Sequence, residues 1–99
     1  MDMLDTKTKS MIEQLYEEKI NNPLKAEEEC SLFLLRQGIQ PNLEATLSHT
    51  LGYLQGVIEG FYLAKYGKHT NYIEKKELEK MLKSRVGDLR QAFVRTRIQ

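Results

Sequence analysis

The sequence predicts an all-α protein: an antiparallel, four-helix bundle-like single domain with a long central third helix. Three observations predict it. Apolar residues recur at spacings of three and four in four separate stretches. Strand signals are nearly absent, because β-branched residues are scattered and no run alternates. Turn formers, namely Asn21, Asn22, Pro23, Gly38, Pro41, Gly67 and Asn71, fall between the four stretches. At 99 residues the chain is the size of one domain, spanning 1–99, with one modest core.

The first helix is expected over 4–20. Leu4, Met11 and Leu15, with the companion column Ile12, Tyr16 and Ile20, form one broad apolar face. Asn21, Asn22 and Pro23 end it. Asn22 is expected to cap the second helix, with Pro23 at its first position. Glu27, Glu28 and Glu29 lie near that start, where the helix dipole favours negative charge. The run over 30–35 is apolar almost all round, so the far end of the second helix is expected to be deeply buried. Gly38 is a suitable stop. The third helix is expected over 42–66, ending at Gly67. Asn71 with Glu74 three residues on resembles a capping box opening a fourth helix that runs to about residue 96. Its stripe is Leu78, Leu82, Val86, Leu89 and Phe93.

The third helix carries the most informative pattern, three glycines four residues apart at Gly52, Gly56 and Gly60. Each costs roughly 1 kcal/mol relative to alanine in a helix interior. At about 100° per residue, Leu43, Leu47, Thr50, Leu51, Leu54, Val57, Ile58 and Phe61 fall on one side. The glycines fall on the opposite side, with Ala45, His49, Tyr53, Leu63 and Ala64 near them. Glu44, Ser48, Gln55, Glu59 and Tyr66 leave only a narrow polar stripe. Two buried faces are therefore expected on this helix. The small-residue face Ala45, His49, Gly52, Tyr53, Gly56, Gly60 and Leu63 is read as a helix-packing or homodimer face. Its partner is the same face of a second molecule, another helix of this chain, or a small ligand over the glycines.

Chemistry-bearing patterns are sparse. Cys30 is the single cysteine, so no intrachain disulfide forms, which fits a reducing, cytoplasmic setting. Cys30 reads as a buried small apolar residue. The acidic opening over 1–5 is unlike a signal peptide. The most apolar stretch, 51–64, is interrupted by Gln55 and Glu59 and is too short and polar to span a bilayer. His49 and His69 are the only histidines, and neither stands in a metal-ligand spacing. Adjacent carboxylate pairs such as Glu17 and Glu18 point in different directions on a helix. No glycine loop of the phosphate-binding kind is present. No catalytic, cofactor or metal residue is assigned, and an enzyme is not expected.

Charge is unevenly placed. Residues 1–50 carry a net −4 and residues 51–99 a net +5. Either the halves neutralise each other, or the basic end has a partner. Lys65, Lys68, His69, Lys83, Arg90 and Arg97 form a candidate partner or nucleic-acid surface, with Lys80, Arg85 and Arg95 nearby in sequence. Tyr62, Tyr66 and Tyr72 are expected to be exposed, as interface anchors or stacking platforms. Residues 34–42 loosely suggest a helix-turn-helix turn, but the helix that follows has no Lys or Arg before Lys65. The sequence thus points to a small non-enzymatic adaptor or regulatory module, homodimeric and contacting an unidentified protein. The alternative is a nucleic-acid-associated protein using its basic C-terminal helix.

Overall fold

Asp5 starts the first helix, accepting the backbone N–H of Thr8 on a side-chain oxygen at 2.7 Å. The computed structural model describes residues 4–98, so residues 1–3 of the acidic opening and Gln99 lie outside the described residues. Helix α1 spans Thr6–Asn21. Thr8, Ile12 and Tyr16, spaced by four, are its buried positions, with Leu4 buried just before the helix and Met11, Leu15 and Ile20 packed beside them. Asn22 departs from the expected role. Its side chain donates back to the Glu18 carbonyl at 3.4 Å and makes no cap bond to α2. It finishes α1, and Pro23, at the first turn of α2, sets the helical start without it.

Helix α2 spans Pro23–Arg36 and buries Ala26, Glu27, Cys30 and Leu34. It ends in a Schellman motif: Ile39 N–H donates to the Leu34 carbonyl at 2.9 Å and Gly38 N–H to that of Leu35 at 3.0 Å. Gly38 sits at φ +75°, which glycine tolerates best. Helix α3, Leu43–Tyr66, is capped by Asn42 and stopped by Gly67 at φ +69°. Thr46, Leu47, Thr50, Leu54, Ile58 and Tyr62 are its buried residues, while Val57 and Phe61 are half-buried. Helix α4, Tyr72–Ser84, opens with the full capping box between Asn71 and Glu74.

The expected fourth helix is broken at Arg85. Helix α5, Val86–Ile98, begins one residue later, and the apolar stripe continues across the break through Leu78, Leu82, Leu89 and Phe93. Arg85 N–H donates to the Leu82 carbonyl three residues back, a tighter turn than the α-helical one. The buried Tyr16 hydroxyl donates to that same carbonyl. Gly87 weakens helix continuation here. The Arg85 guanidinium forks onto Glu13 at 2.8 Å, Glu17 at 3.0 Å and Asp88 at 2.9 Å. The turn is thus pinned to α1.

The result is all-α, with no strand among the described residues. Leu4, Ile12, Tyr16, Ala26, Leu47, Leu54, Ile58, Tyr62, Leu78, Leu82, Leu89 and Phe93 form one core cluster drawn from all five helices. Each fully buried leucine or isoleucine contributes about 1.5–3 kcal/mol. The domain measures 45 × 25 × 18 Å, elongated along the direction in which a helix as long as α3 must lie.

Two stability measurements check this account. Tyr16→Phe removes the buried side-chain donor from the Leu82 carbonyl, leaving it the long Arg85 N–H contact alone, and should cost ~1–3 kcal/mol in urea unfolding, with the denaturant slope unchanged. Thr8 beside it, through its side chain and its backbone N–H, holds the Asp5 carboxyl down to about 2, with help from Lys65. A depressed carboxyl stabilises the fold above its unfolded value and loses that contribution as pH falls through the folded one. Asp5→Ala should therefore cost ~1 kcal/mol at pH ~7. In thermal melts the deficit should shrink as pH drops from 3.8 towards 2.

Candidate functional site

The site begins with the glycines, because the rest of α3 dictates which way they face. Its bulky side is taken up by the core, with α1, α2, α4 and α5 packed on that side and its flanks. Gly52, Gly56 and Gly60 face away from all of them. A Cβ placed on any of the three would meet nothing within 4 Å. Within the chain one face of α3 is buried and its glycine face is open, so of the expected partners for that face only those from outside the described residues remain. Packing of the glycines against another helix of the same chain is thereby excluded. The helices that cross α3 are drawn to its large side chains, since that is where apolar area is removed from water.

The expected face residues are brought together as a strip with two kinds of edge. Ala45 and His49 are half-buried at the α2 end, and the His49 ring stacks on Phe33 with centroids 4.6 Å apart and planes 17° apart. Tyr53 is half exposed, with the Lys19 ammonium 5.0 Å from its ring centre. Leu63 is exposed at the other end. Beside the strip lies a cleft of about 180 Å³ lined by Lys19, Ala26, Glu29, Cys30, His49, Thr50 and Tyr53. The glycines do not line it, and it is smaller than the roughly 300 Å³ at which small-molecule sites begin. Cys30 is buried, its sulfur 3.2 Å from the Thr50 hydroxyl.

The six candidate cationic residues are not brought together. Lys65, Lys68 and His69 lie at the C-terminal end of α3, and Lys65 pairs with Asp5 at 3.1 Å. Arg90 pairs with Glu44 at the opposite end of α3, about 30 Å away at 1.5 Å per residue. That contact holds the Glu44 carboxyl below, and the Arg90 guanidinium above, their ordinary values. Arg97 pairs with Glu27 at 2.6 Å and also reaches the Pro41 carbonyl and the Thr46 hydroxyl. Lys83, Lys68 and His69 are exposed. Together with Lys9–Glu77 and Arg85 on Glu13 and Glu17, these pairs tie the acidic front half to the basic rear half.

Tyr62 corrects a second expectation. It is buried, and its hydroxyl donates to Glu74, which also closes the α4 capping box. Only Tyr66 and Tyr72 of the three tyrosines are exposed.

Sequence reasoning missed a second surface. The far end of α2, expected to be deeply buried, buries only Cys30 and Leu34. Leu32 and Leu35 are 55% and 57% exposed, and Phe33, Leu24 and Ile39 are also exposed. The signal was present: Ala26, Cys30 and Leu34 already supply the i, i+4, i+8 column that faces the core, so the flanking leucines had to point elsewhere.

Comparison with protein-family models, curated proteins and solved structures finds no match. Among the described residues no helix is long and apolar enough to cross a membrane, and no three His, Cys, Asp or Glu side chains gather as a metal centre. The geometry of the open surfaces is what the functional reading rests on.

Arg97 provides a check on the cationic residues. Removing it leaves the Glu27 carboxylate buried without its cation. Arg97→Ala should lower unfolding stability by ~1–3 kcal/mol, and adding Glu27→Gln should recover part of the loss.

Proposed function

We propose that this protein is a non-enzymatic helical interaction module, an adaptor or regulatory unit of the cytoplasm. Two copies meet through the Ala45, His49, Gly52, Tyr53, Gly56, Gly60 and Leu63 face of α3. The observation that carries this reading is the open space over the three glycines. Together they cost roughly 3 kcal/mol relative to alanines, and no atom of the described residues uses the room they leave. Alanine would fit at each position without a clash in the monomer. A backbone arriving from outside the chain is the simplest use of that room, since small residues at four-residue spacing let helix axes approach closely. The exposed Tyr53 and Leu63 supply larger anchors at the rim of the trough. A single strip meeting its own copy makes an isologous, closed contact. This reading is preferred over phosphate binding because Lys65, Arg90 and Arg97 are already held by carboxylates.

Light scattering over a range of concentrations tests it. Gly56→Leu should halve the mass of the assembly while the chain keeps its helix content and melting, because a Cβ there meets nothing within 4 Å in the free chain. A monomeric wild-type chain, or a Gly56→Leu chain of unchanged mass, would refute the glycine contact.

A further inference from the structure

The outer face of α2 is a second apolar surface, separate from the glycine strip. Lys25, Glu28, Leu32 and Leu35 follow one another at spacings of three, four and three, the repeat of a helix-pairing seam, and Ile39 lies just past the helix end. All five are exposed. Leu24, Leu32 and Leu35 also form the apolar wall of a groove of about 480 Å³ whose far side is Thr96 and Arg97 of α5. Two charges flank the seam, Glu29 and Arg36, one helical turn before and after its centre. Both are exposed, and neither has an ion-pair partner in the chain among the described residues.

We infer that this face docks a second copy of the same chain, the two α2 helices running antiparallel. The choice of occupant follows from the charges. With the two-fold axis between residues 33 and 34, Leu32 of each copy lies against Leu35 of the other. In that register Glu29 of each copy falls beside Arg36 of the other, so both unpaired charges find an opposite charge, twice by symmetry. A parallel pairing would instead set Lys25 against Lys25 and Glu28 against Glu28 in the seam, which like-charge repulsion disfavours. The face is thus complementary to itself in one orientation only. Leu32 and Leu35 supply the buried centre, and the Glu29–Arg36 pairs fix register at the rim.

This contact is distinct from the one proposed at the glycines, and either can exist without the other. The test uses sedimentation equilibrium on the full chain in the Gly56→Leu background, where the α3 contact is blocked. That chain should still dimerise, and Leu32→Lys with Leu35→Lys should make it monomeric with its circular dichroism retained. Glu29→Arg alone and Arg36→Glu alone should each loosen the dissociation constant about ten-fold, since each replaces two ion pairs by two like-charge contacts. Glu29→Arg and Arg36→Glu together should restore it to within about three-fold of the starting value. A Gly56→Leu chain that is monomeric at every concentration overturns the inference. So do single reversals that change nothing, or a double reversal that stays as weak as the singles. The glycine proposal is judged separately, by whether Gly56→Leu halves the wild-type mass.

Discussion

The hydroxyl of Tyr16 is the point on which the domain turns. It lies at zero exposure in the centre of α1 and donates to the Leu82 carbonyl where α4 ends. Burial pushes the phenol up to about 12, so the O–H stays a donor across the working pH range. Arg85 sits over the same ring, 5.9 Å from its centre, and forks onto two glutamates of α1. The hydroxyl satisfies the Leu82 carbonyl and the guanidinium anchors the chain where α4 gives way to α5. A buried carbonyl at a helix end needs a partner, and α1 supplies one donor there, the Tyr16 hydroxyl. Because α5 starts there, Leu89, Ala92 and Phe93 reach the core beside α1, α2 and α3.

A consequence is the one-sidedness of α3. Four helices gathered over its bulky face leave nothing to cross its back. Its flanks are closed by polar contacts: Glu44 with Arg90, Glu59 with Thr70, Tyr62 with Glu74, and Thr50 with Cys30. The back keeps its glycines bare. The same gathering explains α2, whose Ala26–Cys30–Leu34 column is consumed by the core while its leucines are turned outwards. The module therefore has two surfaces with no cover among the described residues, and both belong to the α2–α3 hairpin.

Much of the local structure was legible in the residues. Asn42, Gly67, Asn71 and Glu74 do what their positions announce, because caps and left-handed stops depend on neighbours within a turn. The core stripe of α3 was also legible through its period. Asn22 was not, since two helix ends compete for one side chain and the choice depends on the chain path between them. Tyr62 was not, because its burial depends on Glu74 arriving from another helix. The break at Arg85 has Gly87 as its only local sign, and its partners come from α1, far away in sequence: the Tyr16 hydroxyl as donor and the Glu13 carboxylate as acceptor. For the surface, sequence marked the glycine strip but mistook the leucines of α2 for core.

By itself the sequence determined that the chain is helical, where most helices begin and stop, and which side of α3 is bulky and which is small. These follow from periodicity and from bonds made within a few residues. It also carried the opposite charges of its two halves. Only the tertiary structure decided how those charges pair, that the fourth helix breaks, and that the glycine strip and the α2 leucines face outwards. Those outcomes depend on how many apolar faces compete for one small core. Once α1, α4 and α5 have filled the bulky side of α3, no helix remains to cover the rest.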